Sequence, residues 1–277
     1  MIEVYLDESG IHDEAEICLV AGYFGQPGAW EKLELRWKKI LDRASVPLER
    51  FHALDLMEHR RVFFNMERNK HEKLISDLAT AVSTFRVYPV AFGLVLADFH
   101  ALSMSQKKFF TGATIDTRYK PGRLRTEGCP SKPYFMPFLH CVRQILDHTP
   151  NGATAQFYFG LDRPFYRYAV EMFKMIKARQ DDPRSTKLGN SHLPEAKKTP
   201  QLQAADFLCY LTYKHMLARH AANNWNVMPA EPLRTLLRNM KQLQDLRFYD
   251  RDVIAECLQI SYESVGNWDS QAAEDGL

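Results

Sequence analysis

The sequence predicts a mixed α/β domain, a sheet flanked by helices, on three observations. Apolar runs rich in β-branched and aromatic residues, at 2–7, 17–24, 87–96 and 155–161, border turn residues in the manner of strands. Between them, apolar side chains recur at helical spacing over 30–44, 71–85, 135–147, 165–177 and 201–220. With 277 residues, 45% of them hydrophobic, the chain can bury a sizeable core as one large domain or a domain with an insertion.

Taken in order, Ile2 to Asp7 reads as a strand that breaks into Glu8, Ser9 and Gly10, and Ile17 to Phe24 returns as its antiparallel partner. Pro27 and Gly28 precede a helix on which Trp30, Leu33, Trp37, Ile40 and Leu41 form the core-facing stripe. Phe51-His52-Ala53-Leu54-Asp55-Leu56 is short and mixed, a polar stretch leads to the helix at 71–85, and the strand at 87–96 closes on Ala97-Asp98. Residues 103–134 differ in character. Lys107, Lys108, Arg118, Lys120, Arg123, Arg125 and Lys132 stand against Asp116 and Glu127, and Gly112, Pro121, Gly122 and Gly128 interrupt any period, so this is read as a basic insertion. A helix at 135–147, a turn at Pro150-Asn151-Gly152 and an aromatic strand ending at Asp162 follow. The helix at 165–177 precedes a polar stretch, 181–200, holding one short strand, which brings the sheet to five strands. The helix at 201–220, another near 232–246 and a short element to Ile260 complete a single domain over 1–262. Residues 263–277 carry Glu263, Asp269, Glu274 and Asp275 with no basic residue and are expected to fray.

Composition narrows the function classes. A net charge of +2 and a pI near 8.2 do not by themselves announce nucleic acid. The five cysteines are scattered without a C-x-x-C pair, which argues against a disulfide framework or zinc knuckle and points to a reducing cytoplasm. Glu3 and Asp7 interrupt the first apolar stretch, so no secretory leader is expected, and no run approaches the ~18 apolar residues of a membrane span. No Ser-His-Asp order, Walker-type glycine loop or zinc-binding helix motif is present. An aspartyl-phosphate receiver, which also places acids after strand one, would need a domain of about half this length.

Two segments carry the chemistry. Val4-Tyr5-Leu6-Asp7-Glu8-Ser9-Gly10 ends an apolar strand in acids, and Gln201-Leu202-Gln203-Ala204-Ala205-Asp206 sets an aspartate into an apolar helix. A carboxylate withdrawn from water either finds a partner or protonates. Acids placed in this way are candidates to share a hard divalent cation, which takes few protein carboxylates and keeps positions for phosphate and water. Asp98 and Asp162 also close apolar runs, though aspartate is common past a strand because its side chain bonds nearby amides.

With Leu6-Asp7-Glu8-Ser9-Gly10 and Gln203-Ala204-Ala205-Asp206 in this order, the chain resembles the domain of unknown function 3800 family over about residues 2–220. Phe51-His52-Ala53 looks like that family's middle motif, and the strand ending at Asp162 resembles its later acid-bearing strand. The resemblance implies a ribonuclease H-like fold and a metal-dependent nuclease, with Mg²⁺ or Mn²⁺ as cofactor and DNA or RNA as partner. It implies that Asp7, on a central strand, Asp162, on a parallel neighbour, and Asp206, from a helix across the sheet, hold the metal. Glu195 or Asp55 is a candidate fourth acid.

Glu8 follows Asp7 and so points to the opposite face of a regular strand, serving the metal only if the chain turns there; Gly10 makes such a turn credible, and Glu8 is counted with Asp7, His52, Asp162 and Asp206 as a candidate catalytic residue. His52 either positions water and phosphate or bonds backbone. Ser9, Gln203 and Lys197 near the acids, and Arg118, Lys120, Arg123 and Arg125 in the insertion, are candidate substrate contacts. Tyr119, Tyr134 and Phe135 are candidate stacking aromatics. The alternative to a nuclease is a non-catalytic module of the same fold that binds nucleic acid or protein.

Overall fold

The computed structural model describes residues 1–12, 14–126, 129–160, 163–179, 182–192, 198–224, 227–242 and 245–269. Its first two strands, β1 (Ile2–Ser9) and β2 (Ile17–Gly25), form the expected antiparallel hairpin, with Asp7 opposite Ala21. Gly10 begins the turn at φ +73°, and a Cβ there would stand 1.8 Å from the Ile17 carbonyl oxygen, so only glycine passes. The free edge of β2 pairs antiparallel with β3 (Val87–Val95). The free edge of β1 pairs parallel with β6 (Ala155–Phe159), which pairs parallel with β7 (Leu188–His192). A sixth strand, β8 (Leu246–Tyr249), lies parallel to β3, giving the order β7-β6-β1-β2-β3-β8. The strand bearing Asp7 is therefore interior to a mixed sheet, bordered by one antiparallel and one parallel neighbour.

Alternation along β1 divides the core between the two faces of the sheet. Val4 and Leu6 join Cys18, Val20, Phe92 and Leu94 beneath α6 (Phe135–His148) and α7 (Arg163–Ala178). Tyr5 joins Leu19, Ala21 and Tyr23 beneath α1 (Pro27–Arg43), α3 (Arg68–Thr84) and α8 (Pro200–Ala221). Helices on both faces explain why every residue of β2 is buried. On α1 the expected stripe of Trp30, Leu33, Trp37, Ile40 and Leu41 is the buried one. Truncating a buried indole of this kind to alanine costs ~3–5 kcal/mol. The N-terminal half of α8 is buried on nearly all sides because it crosses β1 and β2 while α1 and α2 (Ala53–Met57) pack against it from outside.

The structure departs from the sequence expectations in five respects. The sheet has six strands, not five, and the helix expected near 232–246 is a single turn, α9 (Leu233–Leu236). β8 is anchored by Asp245, which is fully buried and accepts hydrogen bonds from the Gln144 side chain at 2.7 Å and the Gln242 backbone at 2.9 Å, beside His148 at 2.7 Å. Asp98 does not close a strand, because the chain turns into α4 (Leu96–His100) immediately after Val95. The basic insertion contains α5 (Met104–Phe110) and a hairpin of β4 (Thr114–Asp116) and β5 (Arg123–Arg125), and its Phe110 and Leu124 enter the core. Finally, α10 (Arg251–Val265) carries order beyond residue 262. Trp268 is fully buried with its indole N–H on the Ser261 hydroxyl at 2.9 Å, so the tail is docked as far as Asp269. Among the described residues, no helix is long and apolar enough to cross a membrane.

Candidate active site

Three segments separated by up to two hundred residues meet at the carboxyl end of β1. Asp7 lies on the α8 face of β1, in line with Tyr5 and Ser9. Cys209, one turn beyond Asp206 on α8, places its thiol 3.5 Å from the Asp7 carbonyl oxygen and 3.6 Å from the Ser9 hydroxyl. The two carboxylates are close enough that the charge of Asp206 bears directly on Asp7. On the other side of Asp7 stands Gly160, directly after β6, where a Cβ would come within 2.9 Å of the Asp7 Oδ1. A glycine at this point makes room for the carboxylate.

The third segment is Phe51-His52-Ala53, the start of α2. Asp206 Oδ2 accepts a hydrogen bond from the Ala53 backbone N–H at 2.8 Å. One turn earlier on α8, the buried Gln203 donates from Nε2 to the Leu48 carbonyl at 2.8 Å, and its Oε1 accepts from Trp37 Nε1 at 2.9 Å. The i, i+3 pair on α8 thus pins both ends of the 48–53 segment. His52, the N-cap residue of α2, is more than half exposed and faces Asp206 closely enough to favour its ionised form. Asp55 is buried, with His52 Nδ1 at 4.0 Å and Arg61 Nε at 3.4 Å. A cleft of about 660 Å³ opens beside these groups, lined by Arg50, His52, Asp55 and Arg61 among others.

The electrostatics are those of carboxylates held together with little cationic relief. Burial pushes the Asp7 carboxyl well above the usual aspartate range, and the charges of Glu8 and Asp206 add to it; a hydrogen bond from the Glu8 backbone opposes. Asp206 is also raised, chiefly by burial and further by Asp55, against the opposing effects of His52 and the Ala53 N–H. Burial and the same acids raise the thiol of Cys209, keeping it protonated and unreactive.

Other expected residues are placed differently. Glu8 remains in regular strand, paired opposite Val20, and therefore lies on the face away from Asp206. Its charge is felt there by Cys18 and Tyr134. Gln203 is committed to Trp37 and Leu48, so it holds α8 to α1 and to the 48–53 segment and is not a substrate contact. Tyr134 and Phe135 are buried against one another with centroids 5.1 Å apart and offer no stacking surface, whereas Tyr119 is half exposed. In the insertion, Arg118 grips Asp116 through Nε at 2.9 Å and a terminal nitrogen at 2.6 Å, and Arg125 reaches the same carboxylate at 2.5 Å. Both arginines are exposed yet bound to the hairpin's own acid, which they hold far below the usual carboxylate range. Lys120 and Arg123 are exposed on the same hairpin. Asp162, Glu195 and Lys197 lie outside the described residues.

Sequence reasoning missed Gly160, Cys209 and Arg61. Only Gly160 left a signal, a glycine interrupting the aromatic run just before Asp162. Among the described residues, no three His, Cys, Asp or Glu side chains gather as a ready metal-binding group. Comparison of the chain with family models, with curated proteins and with solved structures gave no match.

Proposed function

We propose that the protein is a divalent-metal-dependent nuclease that hydrolyses phosphodiester bonds at the crevice between β1, α2 and α8. The observation that carries this reading is the convergence of Asp7 and Asp206 at the end of an interior strand, both raised by burial and Asp7 further raised by its acidic neighbours. Such a pair is electrostatically unfavourable by itself and becomes favourable when a cation occupies the space between the carboxylates. The donor set fits Mg²⁺ or Mn²⁺: hard carboxylate oxygens in small number, which leaves positions for water and phosphate. The sheet also agrees with the ribonuclease H-like arrangement implied by the resemblance, with Asp7 on a central strand beside a parallel neighbour that leads to Asp162.

In this reading Asp7 and Asp206 would hold the metal, with Asp162 as a third ligand. The bound cation would lower the pKa of water and offset charge on the phosphate in the transition state. Asp206 is fixed by the Ala53 N–H, so its remaining oxygen keeps a set direction. His52, exposed at the mouth of the cleft and facing Asp206, is placed to accept a proton from the attacking water or donate one to the leaving oxygen. Ser9, on the same face as Asp7, lies within reach of a substrate phosphate.

A second reading, a non-catalytic nucleic-acid- or protein-binding module of the same fold, draws on the lack of a ready three-donor group among the described residues. One experiment separates the two. Wild type, Asp7→Asn and Asp206→Asn are assayed on single- and double-stranded DNA and RNA with Mg²⁺, Mn²⁺ or EDTA. Metal-dependent cleavage by wild type, lost in both variants, supports the nuclease. Binding without cleavage under every condition supports the module.

A further inference from the structure

At the opposite end of β1, ~17 Å from Asp7 by the rise of five strand residues, a second cleft of about 610 Å³ opens between the start of α1 and the strand ends. Its volume lies within the ~300–1,000 Å³ range of small-molecule sites. The walls include Phe24 and Tyr88, and the cations facing it are Lys32, Arg86 and Lys241, with Glu31 as the single acid among the lining residues.

The cation that best defines this cleft is held by rings instead of by a carboxylate. Lys241 Nζ stands 4.0 Å from the Tyr88 ring centroid and 5.4 Å from that of Phe24. Cation–π contact fixes an ammonium without neutralising it, leaving its charge available to an anion. Behind Phe24 the His148 ring stacks at 5.3 Å and is itself anchored by buried Asp245 at 2.7 Å. Asp245 is fully buried and already bonded to three groups, so it does not present a competing negative charge to the cleft. Among the described residues, Lys32 and Arg86 have no carboxylate partner, unlike Lys38, Arg68 and Lys73 on the neighbouring helices, each bound to an acid one turn away. The first turn of α1 borders the same space with no acidic residue and no side-chain cap, adding its partial positive charge.

We infer that this cleft is a binding site for a phosphate-bearing ligand of nucleotide size, distinct from the Asp7–Asp206 crevice. Lys241 and Arg86 would bind the phosphate, and the aromatic and aliphatic wall would cover the organic portion. The inference does not depend on the nuclease reading, because no residue of the acidic crevice takes part.

The test is calorimetric titration of the full-length protein with inorganic phosphate, adenosine 5′-monophosphate and adenosine, in wild type, Lys241→Ala, Arg86→Ala and Asp7→Asn. Saturable nucleotide binding that weakens at least tenfold in each cleft variant, and is unchanged in Asp7→Asn, is the expected result. Lys241→Arg keeps a cation over the rings and should recover most of the affinity. Inorganic phosphate binding as tightly as the nucleotide would identify free phosphate as the ligand of the same site. The inference is overturned if no phosphate compound binds, if adenosine binds as well as its monophosphate, or if the cleft variants bind like wild type.

Discussion

Replacing Asp7 by asparagine should stabilise the metal-free protein while abolishing its metal response, and the size of the gain follows from the environment of the carboxyl. Asp7, half-buried at the end of β1, titrates above its ordinary value near 3.8 because desolvation and the charges of Glu8 and Asp206 disfavour its ionised form. A raised folded-state value means that the native chain binds more protons than the unfolded one between the two titrations. Stability is then complete below the unfolded value and falls as pH rises through the folded one. Each pH unit of separation is worth about 1.4 kcal/mol. Asparagine has the same shape without the charge, so above the folded titration it recovers this loss. For a chain of this size a single unit corresponds to a rise in Tm of about 2–3 °C. Asp206→Asn should gain less, because the Ala53 N–H and His52 already favour its ionised form and the first of these bonds weakens when the acceptor becomes neutral. The assay is thermal unfolding of wild type and both variants in EDTA from pH 3.5 to 8.5, repeated with Mn²⁺ at neutral pH. The expected pattern is coincidence at the acid end, divergence in favour of Asp7→Asn as pH rises, and a Mn²⁺-induced rise in wild type alone. Destabilisation of Asp7→Asn across the whole range would show the carboxylate to be a structural acceptor and would refute the electrostatic reasoning.

Three further outcomes are expected. Gly160→Ala inserts a Cβ 2.9 Å from Asp7 Oδ1 and forces the carboxylate aside without positive-φ strain; cleavage should fall by ~10–100-fold, the scale of an ångström-level misplacement, with Tm almost unchanged. Gln203→Leu leaves the buried Trp37 N–H and the part-buried Leu48 carbonyl without their partner; chemical denaturation should show a loss of ~2–6 kcal/mol at ~1–3 kcal/mol per orphaned group, the reverse of the Asp7→Asn effect. In the insertion, neutralising the exposed Lys120 should reduce the salt dependence of nucleic-acid binding more than neutralising Arg118 or Arg125, which are bound to Asp116; each duplex phosphate that the protein no longer neutralises should lower the log–log slope by ~0.9.

Helices α1 and α6 were legible from apolar residues that recur at the helical period, whereas β2 and the first half of α8 are buried nearly all round and were legible as continuous apolar runs of strand length and helix length. β8 was not, since Leu246-Arg247-Phe248-Tyr249 is four residues long and its strand character comes from pairing with β3 and from buried Asp245. A period of two puts Glu8 on the face away from Asp7, and the turn at Gly10 that would have brought it to the acids as a catalytic residue comes only after Ser9. What it cannot report is how far a strand continues past its apolar stretch, and here β1 runs on to Ser9 and holds Glu8 in that position.

Gln203 shows where reading a motif as a set of substrate-binding groups fails. Its spacing from Asp206 is that of two side chains on one helix face, which suggests two residues acting on one substrate. The structure gives the shared face a division of labour. Gln203 takes up Trp37 and the Leu48 carbonyl, Asp206 takes up the Ala53 N–H, and between these bonds His52 is carried to the edge of the crevice. Neither partner of Gln203 is near it in sequence, so no local pattern could separate a binding amide from a bracing one. The consequence for the site is mechanical. The acids of β1 and α8 are fixed by the sheet and the helix that crosses it, but His52 is exposed on a short segment, and its position relative to Asp206 depends on a buried glutamine bonded to that segment's other end at Leu48. A helix aspartate with a glutamine one turn before it is therefore best understood as one group at the site and one group that holds a third in place.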